Sequence, residues 1–360
     1  MADSAAVGGA AAAAAPALSS SPQVVLAGYG PAVAVAKLDE EGGASVLSVV
    51  ASTGGFAEPS YVAVDAARRL LFAVAEGEGR VGSWRMADDG SLTPVSTVSA
   101  EGEAPCHLAL HPSGDWLLVS NYTTGTLTTL AVDAATGALR VHDSFSPGHN
   151  VHEAVWRDGG RRVYVPCLGS DYVAQLEFDA ATGTLTPNAA APTAPLPRGA
   201  GPRHITFSAA GPHAYVINEL DCTMTRFVVD ATTGVLTDPV TVSTLPPGTL
   251  RGAASTAHLE LSPDGAFLYG SNRGHNTLVT WRVAPADGTL EPVGWETGGG
   301  RVARPRDFAL TPSGRHLLCA NQDGDTVTVF SRDASTGALA VVQDLHLGAG
   351  SKPCCVAFIV

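Results

Sequence analysis

The stretch GPRHITFSAAGPHAYVINE, residues 201 to 219, reads as two short apolar strands folded back on each other at a Gly-Pro turn, with Arg203 near one end and Glu219 at the other. Alone it predicts no more than a hairpin. The same 19-residue pattern recurs as EPSYVAVDAARRLLFAVAE from 58, APCHLALHPSGDWLLVSNY from 104, NVHEAVWRDGGRRVYVPCL from 150, STAHLELSPDGAFLYGSNR from 255 and RPRDFALTPSGRHLLCANQ from 304. Successive starts lie 46, 46, 51, 54 and 49 residues apart. A seventh copy starts at Lys352 as KPCCVAFIV and stops after one strand, while QVVLAGYG at 23 to 30 reads as the strand it lacks.

A second marker recurs with the same count. DEEGGASVL, DDGSL, DAATGAL, DAATGTL, DATTGVL, ADGTL and DASTGAL each follow a strand and carry the Asp/Gly chemistry of a hairpin turn. Each unit therefore predicts four antiparallel strands, and a period of this length with this strand count indicates a propeller blade. The fold expected is all-β, a seven-bladed β-propeller over residues 23–360, closed by pairing the N-terminal strand with the C-terminal one, which removes open sheet edges. Residues 1–22, rich in Ala and Ser, are expected to be a disordered tail, with a plastid address as the minor alternative.

Composition limits the partners. A formal net charge of -13, with 21 Lys and Arg residues and no basic stripe, argues against nucleic acid. No apolar run approaches a membrane span. The six cysteines lack C-x-x-C spacing and suit a reducing, cytoplasmic setting.

In a propeller the first strand of each blade lines the central channel, and the loop entering it shares a face with the loop leaving the second strand. Positions 3 and 4 and positions 18 and 19 of the unit should therefore meet at one mouth. Position 3 brings Ser60, Cys106, His152, Arg203, Ala257, Arg306 and Cys354; position 19 brings Glu76, Tyr122, Leu168, Glu219, Arg273 and Gln322. Arg203, Arg273 and Arg306 suit an anionic small molecule, because the guanidinium fork matches carboxylate or phosphate. His152 or Glu219 could move a proton. His204 and Asn218 are added as candidate substrate-binding residues. The bland readings are a Glu219–Arg203 ion pair, turn-capping asparagines at position 18, position-4 histidines (His107, His204, His258) that bond backbone between blades, and packed rather than nucleophilic Cys106 and Cys354. His111 and His316, near the opposite turn, are expected to be solvated. No metal-ligand spacing or cofactor motif is present, so neither metal nor cofactor is expected.

The segments PCHLALHPSG, GAGPRHITF, VINELD, LSPDGAFLYGSNRGH and RPRDFALTPSGRHLLCANQ, in that order, resemble the lactonase family of seven-bladed propellers, which includes propeller-type 6-phosphogluconolactonases and carboxy-cis,cis-muconate cyclases. The resemblance implies a metal-independent enzyme of small lactones and places the family's site residues on His152, Arg203, Glu219 and Arg273, with Arg306 in a further shared block. Two departures, Asn150 where the family often has His and Cys167 where it has an acid, bear on substrate choice. The reaction expected first is hydrolysis of 6-phosphoglucono-1,5-lactone. A muconate-type cyclase and a non-catalytic interaction platform are the alternatives.

Overall fold

A computed structural model describes residues 21–40, 46–209 and 211–360. The expected tail therefore lies, up to residue 20, outside the described residues. Seven antiparallel sheets are arranged around a channel, with the inner strands of the fourth, fifth, sixth, seventh, first and second blades packed in succession. The first blade runs outward from Val62–Asp65 to Leu92–Ser99, the second from Pro105–Leu110 to Leu139–Phe145, and the third outward from Val155–Arg157. The fourth runs from Pro202–Phe207 to Leu236–Ser243, the fifth from Ser255–Leu261 to Leu290–Glu296 and the sixth from Pro305–Leu310 to Leu339–His346. The seventh is composite: Pro353–Ile359 is innermost and pairs with Gln23–Gly28, followed by Ala32–Asp39 and Val46–Gly54. Its closing register sets Val24 opposite Phe358 and Leu26 opposite Val356.

The third blade departs from the four-strand pattern. Its outer edge is split into Thr184–Pro187 and Thr193–Pro195, both paired with Tyr172–Asp179. Its inner strand is three residues long, so His152 and Glu153 precede it, and a single bridge between Val151 and Cys167 keeps them in register.

The Asp/Gly turns join neighbouring blades as well as strands. In the second blade Asp133 Oδ1 accepts the Thr136 amide at 2.8 Å and the Thr136 hydroxyl at 2.7 Å, and Gly137 closes the turn with φ of 79°. A Cβ on Gly137 would fall 2.5 Å from Leu70 of the preceding blade, so glycine is needed for contact as well as for conformation. The turns of the fourth, fifth and sixth blades are gripped by tyrosines: Tyr164, Tyr215 and Tyr269 donate to the carbonyls of Gly234, Gly288 and Gly337 at 2.5, 3.0 and 2.9 Å. Between blades the core is apolar, as where Phe267 and Tyr269 of the fifth meet Phe308 and Phe330 of the sixth. Each such ring buried in full stabilises by about 1.5–3 kcal/mol.

Candidate active site at one mouth of the channel

A bulge in the inner strands aims the functional side chains. In the second, fourth and sixth blades the ladder pairs position 2 and position 4 with successive residues of the neighbouring strand, leaving Cys106, Arg203 and Arg306 as the extra residue; Cys354 is the extra residue in the seventh. Proline at position 2 (Pro105, Pro202, Pro305, Pro353) has no N–H for the ladder and suits the break. The bulge interrupts strict alternation, so positions 3 and 4 both turn toward the axis. Position-3 donors then reach the next blade's position-3 carbonyl: Arg203 Nη1 to Ala257 at 2.7 Å, Cys354 Sγ to Ser60 at 3.2 Å and Cys106 Sγ to His152 at 3.4 Å.

Arg203, Glu219 and Arg273 form one cluster. Glu219 Oε2 lies 3.1 Å from Arg203 Nε, and its Oε1 lies 3.0 Å from Arg273 Nη2. Arg273 Nη2 also donates to the Thr256 carbonyl at 2.6 Å. Both arginines are buried, at 3% and 4% exposure, so their charges depend on Glu219 rather than on water. Burial works to raise the Glu219 carboxyl, but Arg203 and Arg273 overcome it and hold it below its ordinary value. Burial and the neighbouring Arg203 push Arg273 down to about 10.

His152 lines a pocket together with Arg203, its ring 5.1 Å from that of His204 and 5.8 Å from that of Tyr122. Burial, reinforced by Arg203, Arg306 and Arg273, holds it well below its ordinary value, so the imidazole is neutral at neutral pH. The opposite wall is made of Tyr29, Ser60, Glu76, Arg306 and Cys354. Arg306 has no ion-pair partner among the described residues; its guanidinium stands 5.3 Å from the centre of the Tyr29 ring. Glu76 accepts from the Ser60 hydroxyl and, at 3.4 Å, from the Tyr29 hydroxyl. Burial pushes the Cys106 and Cys354 thiols up to about 12, which leaves them inert as nucleophiles.

Beneath the mouth, position 4 forms a layer of its own. His204 Nε2 lies 3.0 Å from Arg203 Nη1 and its Nδ1 lies 2.8 Å from His258 Nδ1. Because arginine only donates, His204 Nε2 is the acceptor; its proton sits on Nδ1 and is donated to His258, whose own proton is on Nε2. This corrects the expectation that these histidines bond backbone. The acids do so instead: Glu153 accepts the Ile205 amide at 2.5 Å, Asp307 that of Val356 at 2.8 Å and, two residues deeper, Glu260 that of Leu310 at 2.8 Å, each across to the next blade. Burial pushes Glu153 and Glu260 up to about 8 and Asp307 up to about 7, and pushes His107 and His258 down to about 3.

The structure thus brings together His152, Arg203, His204, Glu219, Arg273 and Arg306. Asn218 stands apart from them in role: fully buried, it donates to Thr223 and Thr225 of the next strand at 2.8 and 2.9 Å, which is a structural task. His111 and His316, expected to be solvated, are buried at 6% and 8% exposure; His111 packs edge-on against Trp156, and His316 Nδ1 lies 2.9 Å from Glu40. Glu76 and Tyr29 were missed as candidates, although Glu76 occupies the same unit position as Glu219 and Tyr29 follows the strand that completes the seventh copy. Among the described residues no group of three or more His, Cys, Asp and Glu side chains could hold a metal ion, and no helix is long and apolar enough to cross a membrane.

Residues 23–358 match the family model described as Lactonase, 7-bladed beta-propeller. The 6-phosphogluconolactonase of Bacillus subtilis (strain 168) is 27% identical over 315 residues, covering 84% of this chain and 87% of the relative. That of Formosa agariphila is 28% identical over 334 residues, covering 87% and 92%. Among solved structures, the periplasmic gluconolactonase PpgL of Pseudomonas aeruginosa matches with a TM-score of 0.83 and 30% identity, over 95% of this chain and 99% of the other.

Proposed function

Because this chain belongs to the Lactonase family of seven-bladed β-propellers, we propose that its channel mouth hydrolyses a small anionic sugar lactone, with 6-phosphoglucono-1,5-lactone the first candidate and 6-phosphogluconate its product. The observation that carries this reading is the convergence of three buried or half-buried arginines with one neutral histidine in a chain of net charge -13. Relatives named 6-phosphogluconolactonase support the substrate class.

Arg306, with no carboxylate paired to it, holds the phosphate. Arg203 and Arg273, oriented by Glu219, offset the charge that grows on the carbonyl oxygen as water adds to the carbon. Neutral His152 takes the proton from that water. An imidazolium among three arginines is disfavoured, so His152 returns the proton promptly to the ring oxygen as its bond to the carbonyl carbon breaks. The sequence alone left His152 and Glu219 equal as bases; both are lowered, but Glu219 has each of its oxygens engaged by an arginine, which leaves the proton transfer to His152. We assign no step to a metal or cofactor, since a sugar lactone hydrolyses readily with modest acid-base help. We further propose a cytoplasmic setting, on six unpaired cysteines that suit a reducing compartment, and a place in the pentose phosphate pathway, on the substrate class of the named relatives.

A coupled assay on freshly generated 6-phosphogluconolactone, with spontaneous hydrolysis subtracted, tests this directly. Turnover that survives replacement of both Arg203 and Glu219 with alanine would place the chemistry elsewhere, and turnover of a muconate with none of the lactone would make the protein a cyclase.

A further inference from the structure

Glu76 and Glu219 occupy the same position of the repeat, in the first and fourth blades, and so face each other from opposite sides of the mouth. Their partners differ in kind. Glu219 is clasped by two guanidinium groups, whereas among the described residues no Arg, Lys or His pairs with Glu76. Among the described residues two hydroxyl groups donate to it, from Ser60 and Tyr29. The two oxygens of a carboxylate offer about four acceptor positions, so two on Glu76 are unused by these contacts. It borders the same pocket as Arg203, His152 and Arg306, and it is partly exposed.

A carboxylate that already takes hydroxyl donors, beside an aromatic ring and an uncommitted arginine, has the chemistry of polyol recognition. We propose that Glu76, with Ser60 and Tyr29 holding its carboxylate in place, accepts hydrogen bonds from the ring hydroxyls of the substrate and so selects polyhydroxylated lactones over plain ones. The proposal rests on the lactone reading of this mouth and adds to it the group that distinguishes one lactone from another. A site built to accept from substrate hydroxyls rejects an analogue lacking them, because the carboxylate is then desolvated without a donor. Ser60 and Tyr29 are positioning residues in this scheme. Of these three, Glu76 alone touches the substrate.

The test compares glucono-1,5-lactone with δ-valerolactone, which has the same six-membered lactone ring without hydroxyls. In Glu76→Ala the ratio of the two kcat/KM values should shift about 10- to 100-fold against the sugar lactone, the worth of one or two hydrogen bonds to a charged group. Glu76→Gln, which keeps shape and one acceptor, should shift it less. An unchanged ratio in both variants overturns the proposal, whether or not absolute rates fall. A wild-type protein that turns over neither of these uncharged lactones leaves the hydrolase reading to the assay on 6-phosphogluconolactone, and binding then decides the inference by itself. Calorimetric titration should show 6-phosphogluconate bound more tightly than inorganic phosphate, with Glu76→Ala narrowing that gap about 10-fold or more; an equal loss for both probes, or no gap in the wild type, overturns it.

Discussion

At the mouth Glu219 lies between Arg203 and Arg273 and is held ionised; one unit position from the arginine, Glu153 and Asp307 bond to backbone amides and are pushed up to about 8 and 7. Both layers are polar, Glu219 half-buried and Glu153 and Asp307 buried. The larger difference is the partner. Two guanidinium groups return more than desolvation takes from Glu219, whereas an amide dipole returns only part, so the same side-chain type is anionic in one layer and held toward its protonated form in the other. The mouth is thus prepared to meet charge, and the layer beneath is prepared to hold blades together without it.

The largest effect expected from breaking this contrast is at Arg203. Arg203→Met should cost about 100- to 1,000-fold in kcat/KM, on the scale of losing one oxyanion-stabilising donor, and steady-state kinetics on the preferred lactone would register it. A fall confined to KM would instead make Arg203 a ground-state binding group.

The deeper layer should appear in the pH dependence of stability. Glu153, Glu260 and Asp307 have raised values in the folded protein, so their contribution is whole at low pH and is lost as pH rises through about 7 to 8. His107, His152, His204 and His258 are lowered, so theirs is whole above about 6.5 and is lost on acidification. Four histidines outweigh three acids on the acid side and are silent on the alkaline side. Thermal melts should therefore give a maximal Tm near pH 6.5 and a decline toward pH 8.5. In Glu153→Gln with Asp307→Asn the alkaline decline should flatten, while a decline that persists unchanged would show that these acids are not its source.

The smallest effect concerns the frame shared by both layers. Tyr269→Phe removes the hydroxyl that donates to Gly337 and accepts from Arg332 at 3.0 Å, and should lower unfolding free energy by about 1–3 kcal/mol in chemical denaturation. Unaltered KM in that variant would separate the blade joints from the mouth.

The propeller was legible because a unit that cannot bury its own faces must repeat, and repetition is visible in sequence. Arg203, Glu219 and Arg273 were also legible, since strands of equal length bring equivalent ends to one face. The hidden part was geometric. That position 3 is a bulged residue follows from pairing with the adjacent strand, and only then do Arg203 and His204 both point inward. The amide partners of Glu153, Asp307 and Glu260 depend on the stagger between neighbouring blades, which no single copy encodes. Glu76 carried a signal, its shared position with Glu219, but its value rests on having hydroxyl rather than arginine neighbours.

The seventh blade, one strand from the C-terminal end of the chain and three from the N-terminal end, also sets when the mouth is complete. The pocket takes Tyr29 from the start of the chain and Cys354 from its end, with His152, Arg203 and Arg306 between. A chain emerging from the ribosome can stack its blades one after another, yet it encloses no complete mouth until Pro353–Ile359 has been made and has zipped onto Gln23–Gly28. Without Pro353–Ile359 the inner edge of Gln23–Gly28 would lack its backbone partner and the pocket would lack Cys354, so the ring and the mouth close in one event.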